Sequence, residues 1–350
     1  MLGLMVMMVV MMVMGCNSGG VKGEGTGGGD GREGSLSEVL LEVGRSTENV
    51  FYSFLGLIAD TLGFTAKATT KKSDVGEYFS GLGAKLGEAS AELEAVAKKS
   101  EVGADKSDLS GNPIRVAVNV AKGVLNTLKG HLELLGTVGD DKVVGEAASN
   151  AQGTAPTDIE LKKAYNALKG IVDTAVKGGV TKPKTGDIAV KVGSADNKEG
   201  AKILAAGANA AAAVGDKAAA IVSSVSGEEI LAAIVKSTEA DATAAISANV
   251  DNTTSALKFA RGGNQADQLA QDAALAGAVS GGIALRSLIK AGKLAANNND
   301  DDKVAQAVGI SASNKLLVAI EDIMKKTVKN VLEKVKQEVD KAREPKAAGQ

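Results

Sequence analysis

Aromatic side chains are nearly absent from this chain: they make up 2% of its 350 residues, and none is Trp. A core without large flat rings must be filled by Ala, Val, Leu and Ile, and hydrophobic residues account for 44% of the chain. Helices with such small side chains pack near the short end of the roughly 8–10 Å range of axis separations. Alternation with period two is rare, while Ala, Leu, Lys and Glu recur throughout, so the expected fold class is all-α.

Other scarcities narrow the chemistry. Cysteine occurs once, at Cys16, which excludes an internal disulfide framework and a Cys-based metal site. The sole His, His131, lies in His131-Leu132-Glu133-Leu134-Leu135 without a second His or a Cys, and reads as an ordinary helix residue. The formal net charge is −2 with both signs interspersed, so no basic field is available to neutralise nucleic-acid phosphates. No phosphate-loop sequence occurs, since the one Gly-Lys pair, Gly292-Lys293, is followed by Leu294. Asp300-Asp301-Asp302 lacks the spacing and Gly of an EF-hand loop and reads as a solvated loop. No nucleophile, base and orienter can be grouped, so no catalytic residue, cofactor or metal is expected, nor an enzyme.

What is present is concentrated first at the N-terminus. Residues 4–14 form an unbroken apolar run, too short at 1.5 Å per residue for the ~20 residues of a membrane span and suited to the core of a signal peptide. It ends in Val13-Met14-Gly15-Cys16, which resembles a lipobox, although Val13 stands where Leu is commoner and no Lys or Arg precedes the run. The expectation is a leader over 1–15, cleavage before Cys16 and lipidation of its thiol. More than one acyl chain anchors durably, because each buried CH₂ contributes roughly 0.8 kcal/mol. Residues 17–34 are mostly Gly and cannot pack, so 16–34 reads as a lipidated tether with a typical reach of roughly 20–25 Å. Within it, Gly23-x-Gly25-x-x-Gly28 matches a dinucleotide fingerprint by letter only, since no strand precedes it.

Residues 35–345 read as a single helical domain. Ser35-x-x-Glu38, Thr157-x-x-Glu160 and Ser226-x-x-Glu229 are capping boxes, and Asn112-Pro113 joins a cap to Pro at the first helical position. From these signals helices are expected at 35–68, 73–100, 113–138, 157–177, 200–224, 227–260, 265–293 and 312–342. In the last, Leu316, Ile320, Met324, Val328, Val331, Val335 and Val339 share one face, while Glu321 with Lys325 and Asp322 with Lys326 have the spacing of i, i+4 pairs. Gly277 and Gly281, four apart, suggest close helix packing within the bundle. Asn252-Thr253-Thr254 reads as a loop or helix junction, and 178–199, 261–263 and 297–302 read as surface loops tolerant of change.

Several longer strings together carry a resemblance: Leu168-Lys169-Gly170-Ile171-Val172-Asp173, the Ala-rich stretch 205–220 with Gly215-Asp216-Lys217, Ile230-Leu231-Ala232-Ala233-Ile234-Val235, and Gly281-Gly282-Ile283-Ala284-Leu285-Arg286. With the lipobox and tether, they resemble the variable large proteins of Borrelia, relatives of the variable surface antigen VlsE. The resemblance implies an outer-membrane lipoprotein facing the cell exterior and acting in antigenic variation and immune evasion. It also implies an elongated bundle with long N- and C-terminal helices and a loop-rich distal end, with both chain ends near the membrane. The implied partners are the membrane, through the lipid anchor, and host antibodies, with host proteins and a second copy of the chain as further candidates. The alternative from a different class is an adhesin or binder of host plasma proteins. The resemblance supplies no catalytic or ligand residue.

Overall fold

The computed structural model describes residues 62–101, 112–149, 152–192, 195–207, 214–297 and 299–343, together with 44, 45 and 56. The expected leader, Cys16 and the Gly-rich tether lie outside the described residues, as does most of the expected first helix. Among the described residues the α-helices are α1 Lys72–Ser100, α2 Pro113–Leu135, α3 Asp158–Lys177, α4 Gly215–Ser223, α5 Gly227–Lys236, α6 Ala256–Arg261, α7 Ala266–Leu269, α8 Ala276–Leu288 and α9 Asn299–Arg343. Two short 3-10 segments, Lys198–Leu204 and Glu239–Thr243, lie between them. The fold is helical; β1 Lys191–Val192 and β2 Ala195–Asp196 form a single two-residue antiparallel pair.

The starts of several helices follow from their caps. Asn112 Oδ1 accepts from the backbone N–H groups of Ile114 at 3.0 Å and Arg115 at 3.2 Å, so α2 begins at Pro113. Ser226 and Glu229 close a complete capping box, with Glu229 Oε2 accepting from the Ser226 N–H at 2.7 Å. Thr157 caps α3 through the Glu160 N–H.

α9, 45 residues long, is the axis of the molecule, spanning roughly 65–70 Å at 1.5 Å per residue. Its expected stripe is buried at every position, against α8, α2, α5, α4 and α3. α1 and α2 form an antiparallel pair beside it: Arg115 donates to Glu101 at 2.5 Å and Glu94 at 2.9 Å, and Lys122 also pairs with Glu94. α8 sits at the centre, with all thirteen residues buried. Gly281 allows this, since a Cβ there would stand 2.9 Å from that of Ala256 and 3.1 Å from Ile234 Cγ1, as expected for close helix contact inside the bundle.

Several expectations are corrected by the structure. The first helix does not reach 68: residues 62–67 are non-helical and strapped along α9. Asn314 accepts from the Ala66 N–H at 2.8 Å and returns its amide to the Ala66 carbonyl at 3.1 Å, Gln306 donates to the Ala68 carbonyl at 2.9 Å, and Glu321 accepts from the Gly63 N–H at 3.1 Å. Glu321 is therefore buried and also receives the Tyr78 hydroxyl, in place of the solvent-facing pair with Lys325. Asp322 and Lys326 line an open groove of about 790 Å³.

The expected helix 200–224 is interrupted after Leu204, where Ala205 turns extended and its carbonyl accepts from the Gly153 N–H at 3.0 Å. The expected helix 227–260 stops at Lys236, because Ser237 is buried and a new capping box, Thr238 with Asp241, starts the 3-10 turn; α6 restarts only at the Ser255 cap. The expected helix 265–293 opens at 270–275, where Val190 donates to the Ala274 carbonyl and Ala276 to that of Ile188, both at 2.8 Å. Conversely, α9 begins at Asn299 and not near 312, so part of the expected loop 297–302 is its first turn.

The pairing of α1 with α2 gives a pH signature. Lys122 first and then Arg115 hold the Glu94 carboxyl down to about 2, from an ordinary value of 4.5. A carboxyl lowered in the folded state adds stability above its unfolded value that is lost as pH falls through the folded one. Glu94→Gln is expected to flatten the decline in stability between pH 4.5 and about 2, while costing no more than about 1 kcal/mol at neutral pH because the network is partly solvated. Urea titrations at stepped pH check this, and an unchanged acid limb would contradict it.

Candidate functional surface

A frame built on three cations organises the loops around the short helices. α4 and α6 have nine and six residues, and helices this short are marginal alone, so their ends must be held by other parts of the chain. Lys315, on α9, donates to the carbonyls of Val222 at 2.8 Å and Val225 at 2.6 Å, at the C-terminal end of α4. From the same helix Asp301 accepts from the N–H groups of Val214 at 3.2 Å and Gly215 at 3.1 Å, at the N-terminal end. α4 thus lies with its positive end on a carboxylate and its negative end on an ammonium. Asp301, expected in a solvated loop, is buried. Lys72 likewise reaches the end of α8, donating to the carbonyls of Ile289 at 3.1 Å and Gly292 at 2.6 Å. Burial lowers the Lys72 amine below its usual range, with Asp140 and Glu146 opposing.

Arg286 is the third cation and the most enclosed, at 0% exposure. Its Nε and Nη2 donate to the Ala260 carbonyl at 3.0 and 2.8 Å, in the last turn of α6, and Nη1 donates to the Ala205 carbonyl at 3.3 Å. Burial pulls the guanidinium down to about 9, so it remains charged at neutral pH. Around it the strands of four loops meet: Ala206 donates to the Gly263 carbonyl at 3.0 Å and Ile246 to that of Gly262 at 2.8 Å. Gly262 has φ +66, and a Cβ there would lie 2.0 Å from the Leu204 carbonyl oxygen and 2.4 Å from Arg286 Nη2. Residues 261–263, expected as a tolerant surface loop, are therefore a buried junction; sequence reasoning saw the two glycines but not the Arg that packs on them. Just beyond the junction, Asn264, Gln265 and Asp267 are exposed.

What this frame presents is a surface of loops. Among the described residues no group of three or more His, Cys, Asp or Glu could hold a metal ion. His131 packs on Gly170 in the α2–α3 contact, where a Cβ would stand 2.1 Å from its Cε1, and burial lowers its pKa. The loop 178–189 is largely exposed, as expected, although Val190 beyond it is buried. A second exposed loop, 238–254, falls where a helix was expected. Asp251 folds its tip, accepting from the Thr253 N–H at 2.8 Å and hydroxyl at 2.7 Å, so Asn252 faces solvent in a turn.

The family model described as Borrelia lipoprotein matches residues 47–339. The chain belongs to this family. It is 62% identical over 345 residues to Variable large protein 25 of Borrelia hermsii, covering 98% of this chain and 95% of that one. Variable large protein 21 of the same organism is 63% identical with the same shares, and Variable large protein 12 is 29% identical over 89% of this chain and 84% of the relative. Among solved structures, the Lyme disease variable surface antigen VlsE of Borrelia burgdorferi superposes with a TM-score of 0.68 at 26% identity, covering 88% of this chain and 99% of that one. The chain thus shares both sequence and helical fold with variable surface lipoproteins.

The frame and the loops of this Borrelia lipoprotein should respond differently to substitution. Arg286→Met would leave the Ala260 carbonyl unpaired in the interior, at about 1–3 kcal/mol, and would take one of two donors from the Ala205 carbonyl, which keeps the Gly153 N–H. A loss of about 2 kcal/mol, or roughly 4–8 °C in Tm, is expected, and Gly262→Ala should lose at least as much. Replacing the exposed side chains of Thr181, Lys182, Lys184 and Asp187 together should move Tm by no more than about 2 °C. Calorimetric melting decides; equal Tm shifts for the two sets would refute the division.

Proposed function

We propose that this lipoprotein stands on the outer face of the outer membrane, anchored through a lipidated Cys16, and acts in antigenic variation and immune evasion. On this reading residues 1–15 are the cleaved leader, 16–34 the tether and 35–345 one antigen domain that performs no catalysis. The observation that carries it is the spread of the relatives: proteins of one organism, all called variable large proteins, run from 63% to 29% identity over most of the chain. A set of that kind can keep one scaffold while replacing what antibodies meet.

The structure supplies a physical means. Short helices are held at their ends by cations donating to backbone carbonyls, contacts that do not involve the outward side chains of 178–189 and 238–254. Outward positions in 178–189 and 238–254 then change at little cost in stability. The tether's reach of roughly 20–25 Å lifts the domain off the lipid.

On intact cells, added protease is expected to remove the protein while sparing a periplasmic marker. Cys16→Ser should abolish incorporation of labelled palmitate and release the protein from the membrane fraction. Full protection from protease, or unchanged palmitate labelling of the Ser variant, would refute the placement.

A further inference from the structure

Two loops far apart in sequence, 181–188 and 238–254, lie side by side. A shallow hollow of about 180 Å³ has Thr185 and Gly186 on one wall and Thr238, Asp241, Asn252 and Thr253 on the other. α5 is the platform beneath both. Gly186 packs on its capping carboxylate, since a Cβ at Gly186 would stand 2.1 Å from Glu229 Oε1, and the second loop leaves directly from its C-terminal end.

Each loop is pinned by backbone and a few inward side chains. In the second, Ala242, Ile246 and Val250 are buried at intervals of four, Ile246 donates to Gly262 and Val250 to the Gln268 carbonyl at 3.0 Å. Between and beside these anchors Glu239, Thr243, Ser247, Asn249 and Asn252 are exposed. In the first, Ile188 is tied through its carbonyl to Ala276, while Thr181, Lys182, Lys184 and Asp187 are exposed. The two loops are therefore fixed relative to each other although their outward side chains are free.

A standard protein–protein interface engages roughly 20–30 residues on each side. The first loop has eight residues and the second seventeen, so neither fills such a footprint, whereas together they do. We propose that 181–188 and 238–254 form one composite antibody-binding surface, read by single antibodies that contact both loops. This rests on the antigenic-variation reading above and specifies which surface carries it.

The test uses serum raised against the folded protein and three variants. One carries Thr181→Ala, Lys182→Ala, Lys184→Ala and Asp187→Ala; the second carries Glu239→Ala, Ser247→Ala, Asn249→Ala and Asn252→Ala; the third combines both sets. Melting curves confirm that each is folded. A composite surface predicts that either set alone lowers serum binding by at least about tenfold and that the combination adds little more, because losing one half of a footprint removes contacts worth over 1.4 kcal/mol. It also predicts that heat-denatured protein and the two loop peptides fail to compete. Losses that simply add between the two sets, or competition by either peptide, would overturn the composite surface while leaving the antigenic-variation reading intact. Undiminished binding to all three folded variants would overturn both.

Discussion

The fold depends on buried charge being satisfied at helix ends, cations on terminal carbonyls and the Asp301 carboxylate on the N–H groups that open α4. Arg286 lies wholly inside the domain, and its partners are backbone carbonyls at the ends of α6 and of the 3-10 segment Lys198–Leu204. A helix C-terminus carries partial negative charge equivalent to roughly half an electron, and its last carbonyls lack partners within the helix. A guanidinium placed there satisfies several acceptors at once and gains from the dipole. Lys72 and Lys315 repeat the arrangement at the ends of α8 and α4. Each end of a short helix becomes a fixed point, and the chain between fixed points is free to be irregular.

The scarcity of aromatic residues works in the same direction. A core of Ala, Val, Leu, Ile and Gly lets α8 be surrounded on every side, with Gly281 against Ala256 and Ile234. Such close contact leaves no room for larger side chains, and interiors at crystal-like density respond to single methyl groups. Substitutions are thereby better accommodated on the outside than within. The inside tolerates little, while the loops 178–189 and 238–254 turn many of their side chains to solvent.

Much of this was legible in the sequence, and the parts that were not share one cause. The helical class, the caps at Asn112, Thr157 and Ser226 and the stripe from Leu316 to Val339 are local or periodic signals, and the structure carries them through. The breaks at 205 and 270–275 come from backbone pairing with residues 153 and 188–190, which no local pattern announces. The break after Lys236 was different, since Thr238-x-x-Asp241 and Ser255 are cap signals of the kind that located other helices, here outvoted by the Ala-rich run around them. At the presenting surface, 178–189 could be read from its Gly and Pro content, whereas 238–254 was hidden inside an expected helix. The junction at Gly262–Gly263 was misjudged as a free loop because its determinant, Arg286, lies 24 residues away in a helix that looks amphipathic only by that one charge.

That junction also explains why the second loop can be both variable and well placed. Ile246 hangs from the Gly262 carbonyl, Gly262 stands against Arg286, and Arg286 holds the carbonyls that end α6 and the 3-10 segment. The chain of contacts runs through backbone atoms and one buried cation, so it is indifferent to the side chains exposed at 247, 249 or 252. A loop fixed through its own side chains could not change them without moving. One fixed through its backbone can change all of its outward residues and still offer them at the same place, which is the separation of shape from identity that a variable surface requires.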